Sequence, residues 1–323
     1  MLKKQRIIYG PVPSRRLGRS LGIDIIGPEK TCNFDCVYCQ LGHTDKKVSG
    51  PQDVCGVSTE EVLVELKNHL KKVKHLDYIT FSGTGEPTLN LALGDMIRNV
   101  KKITNVPVCV ITNSSLIDRM DVRDNLAQAD LVVATLEAGD EKTFMAINRP
   151  ASGIRLDDII KGLKALGVMG PRLEIEILFV DSKMDNPTNA SEQAVNELIG
   201  AVKIIDPDMV EVFTVSRPPA ENFIIPVSRQ RLIQIAQKFD EALGRENVRL
   251  VFKGLRRKNA GIKHGNKRNE VYDLLVRRPC TADQISFTLE IENKDLVDII
   301  DDLLGKKEIV EITAEDGKYY RAV

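Results

Sequence analysis

Three cysteines fall within eight residues, in the stretch CNFDCVYC between Cys32 and Cys39. Their surroundings are polar, with Pro28-Glu29-Lys30-Thr31 ahead and Asn33 and Asp35 between them, so packing alone does not account for three thiols in one loop. Zinc and iron–sulfur chemistry are the alternatives. Zinc is commonly held by Cys-x2-Cys pairs, but a structural zinc site closes with four ligands. No second Cys-x2-Cys or His-x3-His follows; His69 and His75 are expected in a helix and its following loop, and His43 stands alone. The spacing from Cys39 to Cys55 matches no common zinc pattern, and Cys55 is expected to have no role. A [4Fe–4S] cluster takes one thiolate per iron. Three thiolates therefore leave one iron open to a substrate or cofactor, which is an enzyme's arrangement.

A second motif, Gly83-Thr84-Gly85-Glu86-Pro87, directly follows the apolar run DYITFS at 77–82. Alone it reads as an ordinary turn between a strand and a helix. Coupled to Cys32-x3-Cys36-x2-Cys39, with Tyr38 just ahead of the last cysteine, it resembles the radical S-adenosylmethionine superfamily. The resemblance implies a [4Fe–4S] cluster on Cys32, Cys36 and Cys39. It implies that Gly83 and Gly85 offer bare backbone to the methionine part of S-adenosylmethionine, with Glu86 near its amino group. Tyr38, Thr84 and Pro87 join the same expected cofactor site, and Thr112-Asn113 stands where a ribose-side turn is common. Glu137 and Glu176 could line the cavity, although an acid in an apolar strand is equally explained by an arginine or lysine partner. The implied chemistry is reductive cleavage of S-adenosylmethionine and hydrogen abstraction from a substrate. Its implied setting is anaerobic, with a reducing partner such as flavodoxin or ferredoxin.

The likeness extends over roughly residues 6–255. YGPVPSRRLGRSLGIDIIGPEKTCNFDCVYCQLG, GTGEPTL, ADLVVATLEAGDEKTFMAINRP and TVSRPPAEN resemble the branch that includes the wyosine-base tRNA synthases. Those synthases hold a second cluster on cysteines ahead of the radical motif, whereas Cys32 is the first cysteine in this sequence. The expected substrate is accordingly an RNA base, a peptide, a protein or a small metabolite. Arg15, Arg16 and Arg19 are expected in a loop before the first strand, stiffened by Pro11, Pro13 and Gly18. There they would bind a phosphate or carboxylate of the substrate; the plain alternative is solvated charges paired with nearby acids. Arg149 and Arg217 are further arginines expected after element ends.

These residues need a scaffold, and the hydrophobic pattern supplies one. Short apolar runs at 21–26, 77–82, 106–112, 130–137, 172–180, 208–215 and 248–253 read as strands, with helical periodicity between them. Ser58-Thr59-Glu60-Glu61 is a capping box leading into Val62, Leu63, Leu66, Leu70 and Val73, and Ser228 opens a similar helix. Such alternation predicts an α/β fold with a parallel sheet, either doubly wound or barrel-like. With the resemblance, the expectation is a partial (β/α)6-type barrel over 1–255. Cys109, inside VPVCVIT, is expected to be a small buried hydrophobe, and Cys280 is assigned no role.

The stretch 252–268 holds seven Lys/Arg, three Gly and no acid, and 256–268 reads as a basic linker. Residues 269–323 then read as three helices and a hairpin, the order of a winged helix-turn-helix. A rival to the enzyme is therefore a metal- or cluster-sensing regulator that reads DNA. Against it, the third helix carries Asp295, Asp298, Asp301 and Asp302, which phosphate would repel. Residues 269–323 hold thirteen acids against seven Lys/Arg, so a protein or peptide dock, or a packed accessory, is the better expectation. The whole chain balances 46 Lys+Arg against 46 Asp+Glu, with 42% hydrophobic residues. Net charge thus selects no partner class, and no apolar run is long enough to span a bilayer. Its start shows no apolar signal segment, so a cytoplasmic location is expected.

Overall fold

The computed structural model describes residues 6–27, 29–45, 47–54, 56–73, 75–183, 187–244, 247–251, 266–314 and 317–323. Cys55 and most of the expected basic linker lie outside the described residues. The chain begins with β1 (Ile8–Ser14) and β2 (Gly18–Ile23), an antiparallel pair. There follow α1 (Thr59–Leu70), β3 (Tyr78–Phe81), α2 (Leu93–Ile103), β4 (Val108–Thr112), α3 (Met120–Leu126) and β5 (Leu131–Thr135). Next come α4 (Glu141–Ile147), α5 (Leu156–Gly167), β6 (Arg172–Ser182), α6 (Glu192–Ile205) and β7 (Met209–Thr214). The barrel ends with β8 (Ile224–Pro226), α7 (Arg229–Leu243) and β9 (Val248–Leu250).

Strand order decides between the two architectures left open by the sequence. Along the sheet the strands run β1-β2-β3-β4-β5-β6-β7-β9, and every pairing from β2 to β9 is parallel. A doubly wound sheet reverses its strand order midway. Here the order never reverses, so each crossover advances in one sense, as in a partial barrel. The helices bury one face each: Val62 and Leu66 of α1, Met96, Ile97 and Val100 of α2, and Leu198 and Val202 of α6 are at most 0% exposed. Ser58 does cap α1, its hydroxyl accepting from the Glu61 amide while Glu61 accepts from the Ser58 amide.

Two strands escaped the sequence pattern. The stretch 8–14 was expected as loop because of Pro11 and Pro13, yet it forms β1 at the sheet edge. Proline is tolerated there because one side of an edge strand needs no ladder donors. Arg15 and Arg16 therefore sit in a hairpin turn, and Arg19 lies in β2 itself. The three-residue β8 pairs antiparallel with β6 and is too short to carry a period.

The last described segment holds α8 (Lys267–Arg277), α9 (Ala282–Leu289), α10 (Asn293–Gly305) and the antiparallel hairpin β10 (Ile309–Ala314) and β11 (Gly317–Ala322). It has its own apolar cluster around Val271, Leu274, Ile285, Leu296 and Leu303, into which Cys280 is buried. Cys109 is likewise buried beside Leu131 and Val133, as expected of a small hydrophobe.

This segment is keyed into the barrel by one buried ion pair. Arg277 at the end of α8 donates from Nε to Asp24 Oδ2 at 3.0 Å, and both side chains are 2% exposed. Its other nitrogens donate to the Asp273 and Arg6 carbonyls, and its guanidinium lies 4.6 Å from the Tyr9 ring centre. Asp24 immediately follows β2, so the pair joins the sheet to residues 250 positions later. Removing one member of a buried pair strands the other charge, at a cost of about 3–5 kcal/mol. Arg277→Met is therefore expected to lower stability by about 3 kcal/mol or more in urea unfolding, and Asp24→Asn/Arg277→Met to recover part of that loss.

Candidate active site

The C-terminal ends of the parallel strands deliver the chemistry-bearing residues to one cavity of about 440 Å³. The chain leaving β2 carries Cys32, Cys36 and Cys39, that leaving β3 carries Gly83 to Glu86, and that leaving β4 carries Asn113. The cavity is lined by all three cysteines, Tyr38, Gly83, Gly85, Glu86, Thr112, Asn113, Arg15, Arg16 and Glu176, all anticipated from sequence.

The cysteine loop is pinned from two sides. On one side Thr31 pairs with Gly85 as a parallel bridge: the Thr31 amide donates to the Thr84 carbonyl at 3.0 Å, and the Glu86 amide to the Thr31 carbonyl at 3.2 Å. On the other side Phe34 pairs with Pro150, the Val37 amide donates to the Ile147 carbonyl, and the Ala151 amide to the Asn33 carbonyl. Phe34 also meets Phe144 edge to face at 5.5 Å.

Amide side chains point at two of the sulfurs. Asn113 Nδ2 donates to Cys32 Sγ at 3.4 Å and to Asn33 Oδ1 at 3.0 Å. Asn148 Nδ2 donates to Cys36 Sγ at 3.7 Å and to Glu137 Oε2 at 2.9 Å. Burial pushes the Cys32 thiol up to about 12, and pushes the Cys36 thiol well above its ordinary value, with Glu137 and the other two cysteines adding to the rise. Unaided, both thiols are neutral; a cationic iron cluster would supply the positive charge that makes them thiolates. Among the described residues no three His, Cys, Asp or Glu side chains converge as on a single metal ion. A cubic cluster needs no such convergence, since each thiolate meets a different iron. Soft donors, half-buried at the cavity and two of them backed by N–H groups, fit that group.

The Gly83–Glu86 loop has a different logic from the one its glycines suggested. A Cβ on Gly83 would meet the Asp24 carboxylate, and one on Gly85 would meet the Thr31 carbonyl. Both positions exclude side chains because protein is already there, while their backbone still faces the cavity. Thr84 and Pro87 do not line the cavity. Thr84 turns away, donating from its amide to Asp24 at 3.1 Å and from its hydroxyl to the Gly27 carbonyl at 2.6 Å. Pro87 opens the short buried helical turn that follows.

Glu86 is the site's uncompensated anion. It accepts from the Thr88 amide at 3.0 Å, the Thr88 and Thr112 hydroxyls at 2.7 Å each, and the Asn113 amide at 2.6 Å. All four donors are neutral, and burial raises its carboxyl above the usual range. A ligand's ammonium in the cavity would find a preformed carboxylate, which is the complement an amino acid requires.

The other acids are already committed. Glu176 of β6 stands beside Glu211 of β7 in register, and Arg16 Nη1 bridges both, reaching Glu211 at 3.0 Å. The partner explanation thus accounts for Glu176. Glu137 is not a lining residue; it lies behind Tyr38, accepting from it and from Asn148, and burial pushes its carboxyl up to about 7. Arg19 is also not a lining residue: it is buried in β2, its amide donating to Asp77 at 2.7 Å. Sequence reasoning passed over Asp24, Asn33, Asn148, Arg277 and Arg278. A lone aspartate in the apolar run LGIDII and an asparagine between cysteines were signals of a kind; nothing local marks an arginine that arrives from a remote helix.

Comparison with known proteins agrees with this geometry. The model of the Radical SAM superfamily matches residues 28–182. A UPF0026 protein from Methanocaldococcus jannaschii is 31% identical over 320 residues, covering 97% of this chain and 95% of that protein. A Brachyspira hyodysenteriae protein named GTPase Obg is 31% identical over 309 residues, covering 95% of this chain, which spans only 44% of that protein's length. Among solved structures, a radical SAM methyltransferase from Sphaerobacter thermophilus shares the fold, with TM-score 0.52 and 16% identity over 72% of this chain and 66% of that one.

Gly85→Ala tests the bridge between the two loops. Its methyl group must push the Thr31 backbone away and with it the cysteine loop. The variant is expected to take up less than about half the parent's iron in anaerobic reconstitution although all three cysteines remain.

Proposed function

Because the chain belongs to the UPF0026 family and is an enzyme of the radical SAM class, we propose that its cavity binds one [4Fe–4S] cluster on Cys32, Cys36 and Cys39 and S-adenosylmethionine beside Gly83, Gly85, Glu86, Thr112 and Asn113. One observation carries this reading: three thiols together with Gly83, Gly85 and Glu86 line a single cavity of about 440 Å³, a size suited to a cofactor with substrate beside it. When bound, the pair supplies reductive cleavage of the sulfonium and hydrogen abstraction from a substrate.

The chain's own residues orient and shield. Glu86 meets an ammonium, and the Gly83 and Gly85 backbone leaves room for the ligand. Asn113 and Asn148 direct N–H dipoles at Cys32 and Cys36, an orientation that would favour extra negative charge on a cluster held there. Tyr38 closes the cavity over the cysteine loop, held by the Glu137 carboxylate behind it.

RNA bases, peptides, proteins and small metabolites are the substrate classes compatible with this reading, and a flavodoxin or ferredoxin would supply the electron. The wyosine-base reaction itself draws no particular support, since relatives aligned over most of both chains are UPF0026 proteins. We read 1–255 as the barrel domain, 256–268 as linker and 269–323 as winged-helix-like; the order of helix, helix, helix, hairpin supports the last. A DNA-reading regulator draws no support from that segment, which contributes Arg277 and Arg278 to the cavity lining. No described helix is long and apolar enough to cross a membrane, and a cluster on free thiols suits the reducing cytoplasm.

The test is anaerobic reconstitution with iron and sulfide, then dithionite and S-adenosylmethionine, with 5′-deoxyadenosine and methionine measured. The parent is expected to form both, and Cys36→Ala to lose at least about 100-fold of that rate. Equal 5′-deoxyadenosine from the two proteins would overturn the reading.

A further inference from the structure

The cavity described above carries more positive charge than its own acids can balance. Five arginines line it: Arg15, Arg16, Arg217, Arg277 and Arg278. Arg16 is held by Glu176 and Glu211, and Arg277 by Asp24. Among the described residues the only other lining acid besides Glu176 is Glu86, which accepts from Thr88, Thr112 and Asn113. Among the described residues, Arg15, Arg217 and Arg278 have no carboxylate partner.

These three converge from separate parts of the chain. Arg15 comes from the turn between β1 and β2, Arg217 from the segment after β7, and Arg278 from the end of α8. Arg217 is oriented by Gln40, the residue after the last cysteine, whose Oε1 accepts from Nη1 at 3.1 Å. Arg278 Nη2 donates to the Thr288 hydroxyl at 3.2 Å. The Nε atoms of both Arg217 and Arg278 are shut off from solvent without any protein acceptor. The segments that carry them are fixed against each other, because the Tyr319 hydroxyl of the hairpin donates to the Ser216 carbonyl at 3.3 Å.

The electrostatics are those of crowded cations, with Glu211 alone among the carboxylates acting on Arg15. Burial first, then Arg278 and Arg15, lower the Arg217 guanidinium to about 10. Burial, Arg16 and Arg278 lower that of Arg15. Grouping guanidiniums, two of them half-buried with enclosed Nε atoms, costs free energy unless something negative joins them. One carboxylate would balance one of the three. A terminal phosphate, close to doubly charged at neutral pH, answers the cluster better, and forked guanidinium donors match its oxygens.

We propose that Arg15, Arg217 and Arg278 form a subsite for the terminal phosphate of a small phosphate ester, which is the substrate of this enzyme. The proposal rests on the cofactor reading above for the word substrate, while the anion site itself rests on the three arginines alone. An RNA backbone is the weaker match, because each of its diester phosphates carries a single charge, and the four aspartates of α10 stand on the module that closes this end of the cavity.

The test is titration calorimetry of the cluster-loaded chain with inorganic phosphate, malonate and a short single-stranded RNA, with and without S-adenosylmethionine. Phosphate is expected to bind at least tenfold more tightly than malonate, equally well with S-adenosylmethionine present. Arg15→Gln and Arg278→Gln should each weaken phosphate at least tenfold, and Arg217→Lys should weaken it less than Arg217→Gln. The control Arg155→Gln, at the exposed N-cap of α5, should bind as the parent does. Arg15 is exposed in a turn, so its variant tests the site even where a buried substitution fails to fold. Equal phosphate binding by Arg15→Gln, Arg278→Gln and the control overturns the proposal. Competition by S-adenosylmethionine overturns it too, since the anion held would then be the cofactor's carboxylate, and so does tighter binding of malonate or RNA. If phosphate binding follows the arginines but 5′-deoxyadenosine never forms, the phosphate site stands and the cofactor reading falls.

Discussion

The contact between Thr31 and Gly85 sets the separation between the two loops on which the site depends. One loop carries the thiols and the other the backbone proposed to meet the cofactor, and neither has regular structure of its own. Two amide–carbonyl bonds turn them into a short parallel ladder beyond the ends of β2 and β3. That ladder brings the backbones so close that a Cβ at Gly85 has no space. Glycine therefore acts here by admitting another stretch of protein, and the opening toward the ligand follows from where that stretch runs. A mobile pair of loops would have to be ordered at the moment of binding, at about 1–2 kcal/mol per residue fixed; the ladder meets much of that cost during folding.

Behind the ladder lies a continuous polar layer. Asp24 receives the Thr84 amide and hydroxyl and the Arg277 guanidinium. Glu86 gathers Thr88, Thr112 and the Asn113 amide, while the Asn113 side chain reaches Cys32. Glu137 receives Asn148, which reaches Cys36. Each carboxylate thus fixes the residue that touches the next shell inward, and each is buried, so an unmade bond would carry a penalty of about 1–3 kcal/mol. Such arrangements favour one geometry over many near it, which matters where a reactive intermediate must meet only its intended partner.

What could be read from the sequence were features with a local period or a fixed spacing. All seven parallel strands, the cap of α1, the cysteine triad and the Gly83–Glu86 loop belong to that class. β1 escaped because prolines argue for loop everywhere except at an edge, and edge status is a property of the whole sheet. Glu176 was ambiguous for a related reason: an acid in an apolar strand announces a partner without naming it, and Arg16 lies 160 residues away. The long-range pair Asp24–Arg277 left no trace in pattern or composition. Glu137 stays open in the sequence for the same reason as Glu176, because the end of a barrel strand can face either the cavity or the layer behind the cysteine loop, and only the packing of Tyr38 decides which.

The C-terminal segment shows how net charge can mislead about a binding surface. Counted by residues it is acidic, thirteen Asp/Glu against seven Lys/Arg from 269 onward. Counted by direction it is divided. Its acids are spread along all three helices and the hairpin, and Lys267, Arg268, Lys306 and Lys318 pair with Asp295, Asp302 and Glu311 among them. Two of its arginines instead turn inward to line the barrel cavity, one neutralised by Asp24 and one not. Exposed charges act through a solvent that screens them within about 10 Å at ordinary ionic strength. A guanidinium inside a partly closed cavity is screened far less, so one inward arginine outweighs several outward aspartates in deciding what binds there. The segment therefore forms part of the cavity wall, and on the reading proposed above the charge of the wall's inner face, not the sum over the domain, would select the ligand.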